Sequence, residues 1–116
     1  MPYMPSNADS ATLREILHHI DLAEKFGHGR NFENFRDNLM PLYAVTRCLE
    51  IISEASRRLS AELKARQPQI PWREMAAAGN FYRHKYEDVL PRRVWKTLSE
   101  DLPPLRAAVE QELAGE

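Results

Sequence analysis

Only one cysteine, Cys48, stands among the 116 residues, so no disulfide can close within the chain. A lone thiol suits a reducing compartment, and the expected location is the cytoplasm. Long apolar runs are missing as well. No stretch approaches the roughly 20 apolar residues that a membrane-spanning helix needs, so no membrane is expected among the partners. Met1 to Asp9 lacks the basic start and apolar stretch of a secretory signal. It reads as a flexible leader ahead of a single domain over residues 10–116. Nor is there an excess of one charge: 16 Lys and Arg stand against 17 Asp and Glu, for a net charge of -1. That excludes a broadly basic nucleic-acid surface and leaves room only for a local one.

Other absences narrow the chemistry. Glycine-rich phosphate loops do not occur. Isoleucine, valine and threonine are too scattered to form the alternating pattern of a sheet. His18 and His19 are adjacent and diverge around their helix, and with His28 they make no zinc-ligand spacing, so no metal or other cofactor is expected. Cys48 lies beside an apolar seam and reads as packed rather than nucleophilic. What is present is ordinary: 43 % hydrophobic and 28 % charged residues suit a folded chain with one modest core.

Helical signals fill most of the length. Thr12 and Glu15 have capping-box spacing, with Asp9 and Ser10 as other caps. Leu13, Ile16, Leu17, Ile20 and Ala23 follow at helical spacing, and Gly27 and Gly29 should stop this helix near Phe26. Phe32 to Met40 reads as a short second helix with Phe35 and Leu39 inward, ended or kinked by Pro41. Leu42, Val45, Leu49, Ile52, Ser56, Leu59 and Leu63 recur in steps of three and four, the seam of one long core-facing helix. Arg47, Glu50, Glu54, Arg57 and Arg58 lie across it at salt-bridge spacing, Glu54 and Arg58 among them. Pro71 should start a fourth helix from Trp72 to about Asp88. Pro91 opens a last one, kinked or divided by Pro103 and Pro104. The expected architecture is all-α, an antiparallel up-and-down bundle of about five helices.

One segment could carry chemistry, Gly79 to Asp88. At about 100° per residue, Met75, Ala78, Tyr82 and Val89 share a core face, whereas Arg73, Asn80, Arg83, His84 and Glu87 share a polar one. Tyr86 lies at the border. A histidine moves a proton near neutral pH, and an arginine holds a phosphate and offsets its developing charge. Cutting RNA through its own 2′-hydroxyl requires mainly those two services. Taken alone, a polar helix face with one histidine is ordinarily just a solvated face.

The order of several segments adds to this. Arg47-Cys48-Leu49-Glu50-Ile51-Ile52-Ser53-Glu54-Ala55, Ile70-Pro71-Trp72, His84-Lys85-Tyr86, Val94-Trp95 and Asp101-Leu102-Pro103-Pro104-Leu105 together resemble the HepT-like HEPN family, from about Leu13 to Leu105. The resemblance implies a HEPN-like helical bundle that forms a homodimer with its cleft between protomers. It implies a metal-independent endoribonuclease that acts as the toxin of a toxin–antitoxin pair, with RNA as substrate. The implied partner is an MntA-type nucleotidyltransferase antitoxin, which silences the toxin by transferring AMP to a tyrosine, here Tyr86. His84 and Arg83 become the catalytic pair, with Asn80, Glu54 and Arg47 in support.

The chain departs from the family at one place. The family pattern sets an arginine, four to six intervening residues and then the histidine, but positions 77 to 79 are Ala77, Ala78 and Gly79. Arg83 stands directly before His84 instead. Helical side chains lean toward the N-terminus, so the expectation is that Arg83 reaches back over a bare Gly79. The alternative is a HEPN-like binding protein that associates with a nucleotidyltransferase or a nucleotide without cleaving RNA.

Overall fold

The computed structural model describes residues 3–83 and 89–115. The architecture is all-α, and no strand occurs among the described residues. Helix α1 (Asn7–Gly27) runs against the long α3 (Leu39–Arg57), with the short α2 (Phe32–Arg36) between them in sequence. The short α4 (Ala61–Arg66) leads to α5 (Trp72–Arg83). Helix α6 (Val89–Lys96) passes through a π-helical turn (Thr97–Asp101) into α7 (Leu102–Leu113). Neighbouring rods are antiparallel. Arg58 at the end of α3 meets Glu15 near the start of α1, and Arg106 of α7 meets Asp21 and Glu24 near the end of α1.

The apolar seam is the core. Leu42, Val45, Leu49, Ile52, Ser56, Leu59 and Leu63 are all buried, as the three-and-four spacing requires. The helix does not continue to Leu63, however. It ends at Arg57, and Ser60 caps α4, its Oγ accepting from the Leu63 N–H at 3.1 Å. Leaving the helical path frees the Ser60 N–H to donate to the buried Asp9 carboxylate at 3.0 Å, and the Ser60 hydroxyl donates to its other oxygen. A buried carboxylate needs such donors, and this one is far away in sequence. The first helix likewise starts earlier than Thr12 suggested, at Asn7, with Ser6 as its cap.

One proline behaves differently from the expectation. Pro41 does not end a helix; it lies in the first turn of α3, where its missing N–H would have had no partner. The second helix accordingly stops at Arg36. Leu39 is 60 % exposed rather than inward, because it opens the next helix on its outer side. Pro103 and Pro104 stand in the first turn of α7, where a π-helical turn divides the last run into α6 and α7. The turn before them widens, with the Leu102 N–H donating to the Thr97 carbonyl. A wider turn accommodates residues that offer no N–H to the preceding carbonyls. Gly27 packs against this turn: a Cβ there would stand 2.5 Å from a methyl of Leu98.

Polar ties lock the ends. Glu112, only 3 % exposed, accepts from Arg66 Nε at 3.0 Å and from the Gln67 amide at 2.6 Å. Trp72 Nε1 donates to the Lys64 and Gln67 carbonyls, fixing the turn between α4 and α5. Cys48 is buried, and burial pushes its thiol above the ordinary range.

Glu112→Ala should leave the buried Gln67 amide short of an acceptor, at a cost of about 2 kcal/mol. A fall in Tm of several degrees is expected, against little change for Asp37→Ala at the exposed Arg36 pair. Equal Tm values for the two variants would contradict this account of the helix ends.

Candidate functional site

Helix α5 presents three different sides. Ala76 and Gly79 face α3, Tyr82 is buried with Met75 and Ala78 beside it, and Arg73 and Asn80 are exposed. This matches the expected division of the helix into core and polar faces, with the α3 contact added. His84 and Tyr86 lie outside the described residues, as does the side chain of Arg83. The backbone of Arg83 forms the last residue of α5.

The contact with α3 is close and polar. Ser53 Oγ donates to the Ala76 carbonyl at 3.1 Å and accepts from the Gly79 N–H at 3.0 Å. Arg57 adds two bonds to the same carbonyl, from Nη2 at 2.9 Å and Nε at 3.3 Å. A Cβ at Gly79 would stand 2.9 Å from the Ser53 hydroxyl oxygen. Gly79 is therefore buried, not bare. Its place on the helix is taken up by Ser53 and offers no open seat for a guanidinium reaching back from Arg83. Ser53 is a residue that sequence reasoning did not single out, although a glycine inside a helix is itself a sign of close approach.

Glu54 and Arg47 stand on the outer side of α3. With Glu15, Glu50, Ile51 and Arg58 they border a depression of about 180 Å³. Arg47 pairs with Glu50 at 3.6 Å. Arg58 binds Glu15 at 2.6 Å, not Glu54 as the i, i+4 spacing suggested, because the antiparallel α1 offers a nearer carboxylate. Among the described residues Glu54 makes no ion pair or hydrogen bond, so its charge stays available. Neither Glu54 nor Arg47 is joined to Asn80 by a hydrogen bond or ion pair.

A larger cavity, about 460 Å³, lies between α3, α5 and the α6–α7 rod. Leu49, Ile52, Met75, Ala78 and Leu105 line it, with the Tyr82 hydroxyl bonded to Thr97 Oγ1 at 3.2 Å. Burial pushes the Tyr82 phenol above its ordinary range, so it stays a neutral hydrogen-bonding group. Beside it, the consecutive Arg92 and Arg93 of α6 rest on aromatic rings: Arg92 lies 5.1 Å from the Phe32 centroid and Arg93 5.3 Å from that of Phe81. These contacts join residues distant in sequence, and no local pattern marks them.

A model of the family described as Ribonuclease HepT-like matches residues 16–112. The chain is 40 % identical over 99 residues to a protein of Thermococcus cleftensis named "Probable ribonuclease HepT", covering 85 % of this chain and 90 % of that one. It is 36 % identical over 100 residues to a "Putative RNase" of Methanocaldococcus jannaschii, covering 86 % of this chain and 92 % of the relative. No solved structure matches the chain.

The tight seat of Gly79 has a measurable signature. Alanine normally stabilises a helix interior by about 1 kcal/mol over glycine. In Gly79→Ala that gain should be cancelled, because the Ser53 hydroxyl must leave its two hydrogen bonds. In a Ser53→Ala background the new Cβ meets only the residue 53 Cβ at 3.5 Å, and the gain should appear in full. Thermal unfolding of the four proteins measures the coupling, and simple additivity would contradict it.

Proposed function

Because the chain belongs to the HepT-like ribonuclease family, we propose that it is a metal-independent endoribonuclease, the toxin of a toxin–antitoxin pair. The observation that carries this reading is the family match over nearly the whole chain, with His84 following directly on α5. In the proposed reaction a histidine accepts the proton of a ribose 2′-hydroxyl. The 2′-oxygen bonds to the adjacent phosphorus, and the 5′-oxygen leaves with a proton, producing a 2′,3′-cyclic phosphate. His84 supplies the proton transfers, and Arg83 holds the phosphate. Asn80 on the exposed side of α5 assists. Glu54 and Arg47 belong to the rim of the cleft, where the unpaired Glu54 carboxylate orients an arginine.

The cleft is proposed to form between two copies of the chain. What supports this is the outer side of α3. Leu39 and Met40 are 60 % and 82 % exposed at its start and Tyr43 follows, leading to Arg47 and Glu54. An apolar patch continuous with charged residues of both signs suits a two-fold contact between copies. The proposed partner is an MntA-type nucleotidyltransferase antitoxin. It would transfer AMP from ATP to the Tyr86 oxygen, releasing pyrophosphate and placing a bulky anion two residues from His84. The proposed setting is the cytoplasm.

A second reading has one specific observation in its favour. Gly79 stands where the family pattern expects an arginine and is filled by Ser53. A chain so altered could keep its assembly surfaces as a non-cleaving binding protein.

Purified protein free of its partner should cleave bulk cellular RNA in EDTA. His84→Ala and Arg83→Ala should each lose at least 100-fold in rate, in the range expected for a general acid/base. Cleavage that survives His84→Ala would remove the mechanism, whereas a folded, unmodified wild type that cleaves nothing would favour the binding protein. Met40→Asp should shift the chain from dimer to monomer in light scattering and abolish cleavage with it; a monomeric wild type would end the dimer-cleft proposal.

A further inference from the structure

The charges of the described residues are mostly spoken for. Arg36 is bonded to Asp37, Arg47 to Glu50, Arg58 to Glu15, Arg66 to Glu112, Lys96 to Asp101, and Arg106 to Asp21 and Glu24. Arg57 is spent on the Ala76 carbonyl, and Arg30 on the Phe26 carbonyl and Asn34. Arg92 and Arg93 differ from all of these. Both are exposed, neither pairs with a carboxylate of a described residue, and each is laid on a ring. Among the described residues Lys25, Lys64 and Arg73 have no carboxylate partner either, but none of them adjoins another such cation or rests on a ring.

A ring under a guanidinium fixes its plane and leaves its charge intact. Arg93 also hydrogen-bonds the Tyr82 hydroxyl, and a guanidinium has five N–H groups, so others can take the oxygens of a phosphate, which an arginine fork can grip two at a time. The rings that do this are themselves held. Phe32 and Phe35 pack on Trp95 of α6, with centroids 6.5 Å and 5.2 Å away, and Phe81 packs edge-on against Tyr82. The other cation over Phe32, Arg36 at 5.7 Å, is neutralised by Asp37. Arg92 and Arg93 follow His84 by only eight and nine residues in the chain, which keeps the pair within reach of a strand held at the proposed catalytic histidine.

We propose that Arg92 and Arg93 form an RNA backbone-binding surface that holds two phosphates of the strand beside the His84 segment. This rests on the ribonuclease reading for its choice of RNA. The two residues are positioning residues: they hold the strand through phosphates flanking the scissile one and take no part in proton transfer. Adjacent helical residues diverge by about 100°, with Arg92 directed toward α2 and Arg93 toward α5. They can therefore grip different phosphates of one strand.

The test is binding of a fluorescein-labelled single-stranded RNA, followed by anisotropy, to the full chain carrying His84→Ala so that the probe survives. Each phosphate contact on a single strand contributes about 0.7 to the slope of log affinity against log salt. Adding Arg92→Gln and Arg93→Gln together should flatten that slope by about 1.4 and weaken binding at least roughly tenfold. The matching lysine pair should keep the slope, and Arg36→Gln should change neither quantity. Should the double glutamine variant fail to fold, each single variant should still flatten the slope by about 0.7. An unchanged slope and affinity, or a parent protein that binds no RNA, overturns the proposal. So does a loss of antitoxin binding with RNA affinity intact, which would assign the pair to a protein partner. The two readings fail separately. Arginine-dependent binding by a protein that never cleaves removes the ribonuclease and keeps the surface, whereas cleavage with unaltered binding in the double variant removes the surface alone.

Discussion

Helix α5 can lie against α3 as it does only because residue 79 has no side chain. Ser53 fills that gap and bonds to α5 in both directions, donating to Ala76 and accepting from Gly79. Arg57 ties down the same carbonyl from the side. Most helix packing here is apolar, and the force behind it has no direction. This contact is short-ranged and directional, so it sets the height and rotation of α5 against α3. Everything attached to α5 inherits that placement: Asn80 outward, Tyr82 inward beside the cavity, and the chain leaving toward His84 from a defined point.

The same contact explains an unusual feature of the chain as a family member. An arginine at position 79 would have to replace Ser53 within the interface. At position 79 the departure from the family's spacing is thus coupled to how two helices meet. Arg83 follows four residues later in the chain, one helical turn along α5.

Polar locks at the ends of the bundle complete the frame. Asp9 with Ser60, Glu112 with Arg66 and Gln67, and Arg106 with Asp21 and Glu24 join elements far apart in sequence. The hydrogen bonds raise the Arg106 guanidinium still further above its ordinary range, so it stays charged throughout. With most cations and carboxylates consumed in this way, the few left over become informative. The ring-seated Arg92 and Arg93 on α6 are such a pair, two neighbouring cations that no carboxylate of a described residue neutralises.

The helical class, the seam of α3 and the identity of the core were legible from spacing alone, since burial follows a period of 3.6 wherever one side of a helix meets its neighbours. The break at Ser60 was not, because its cause is Asp9, on another helix. Nor was the π turn before Pro103 and Pro104, which resolves the missing donors by widening instead of stopping. His84 could be singled out by its residue type and order along the chain. The meaning of Gly79 could not: a glycine in a sequence is an absence, and only the arrival of Ser53 from α3 turns it into a contact. Arg92 and Arg93 were equally silent, two charged residues among many, until Phe32 and Phe81 were brought beneath them. Local periodicity records which side of a helix is wet or dry. Which distant residues share a carbonyl, a ring or a carboxylate is settled by packing, where those groups must find partners or remain without them.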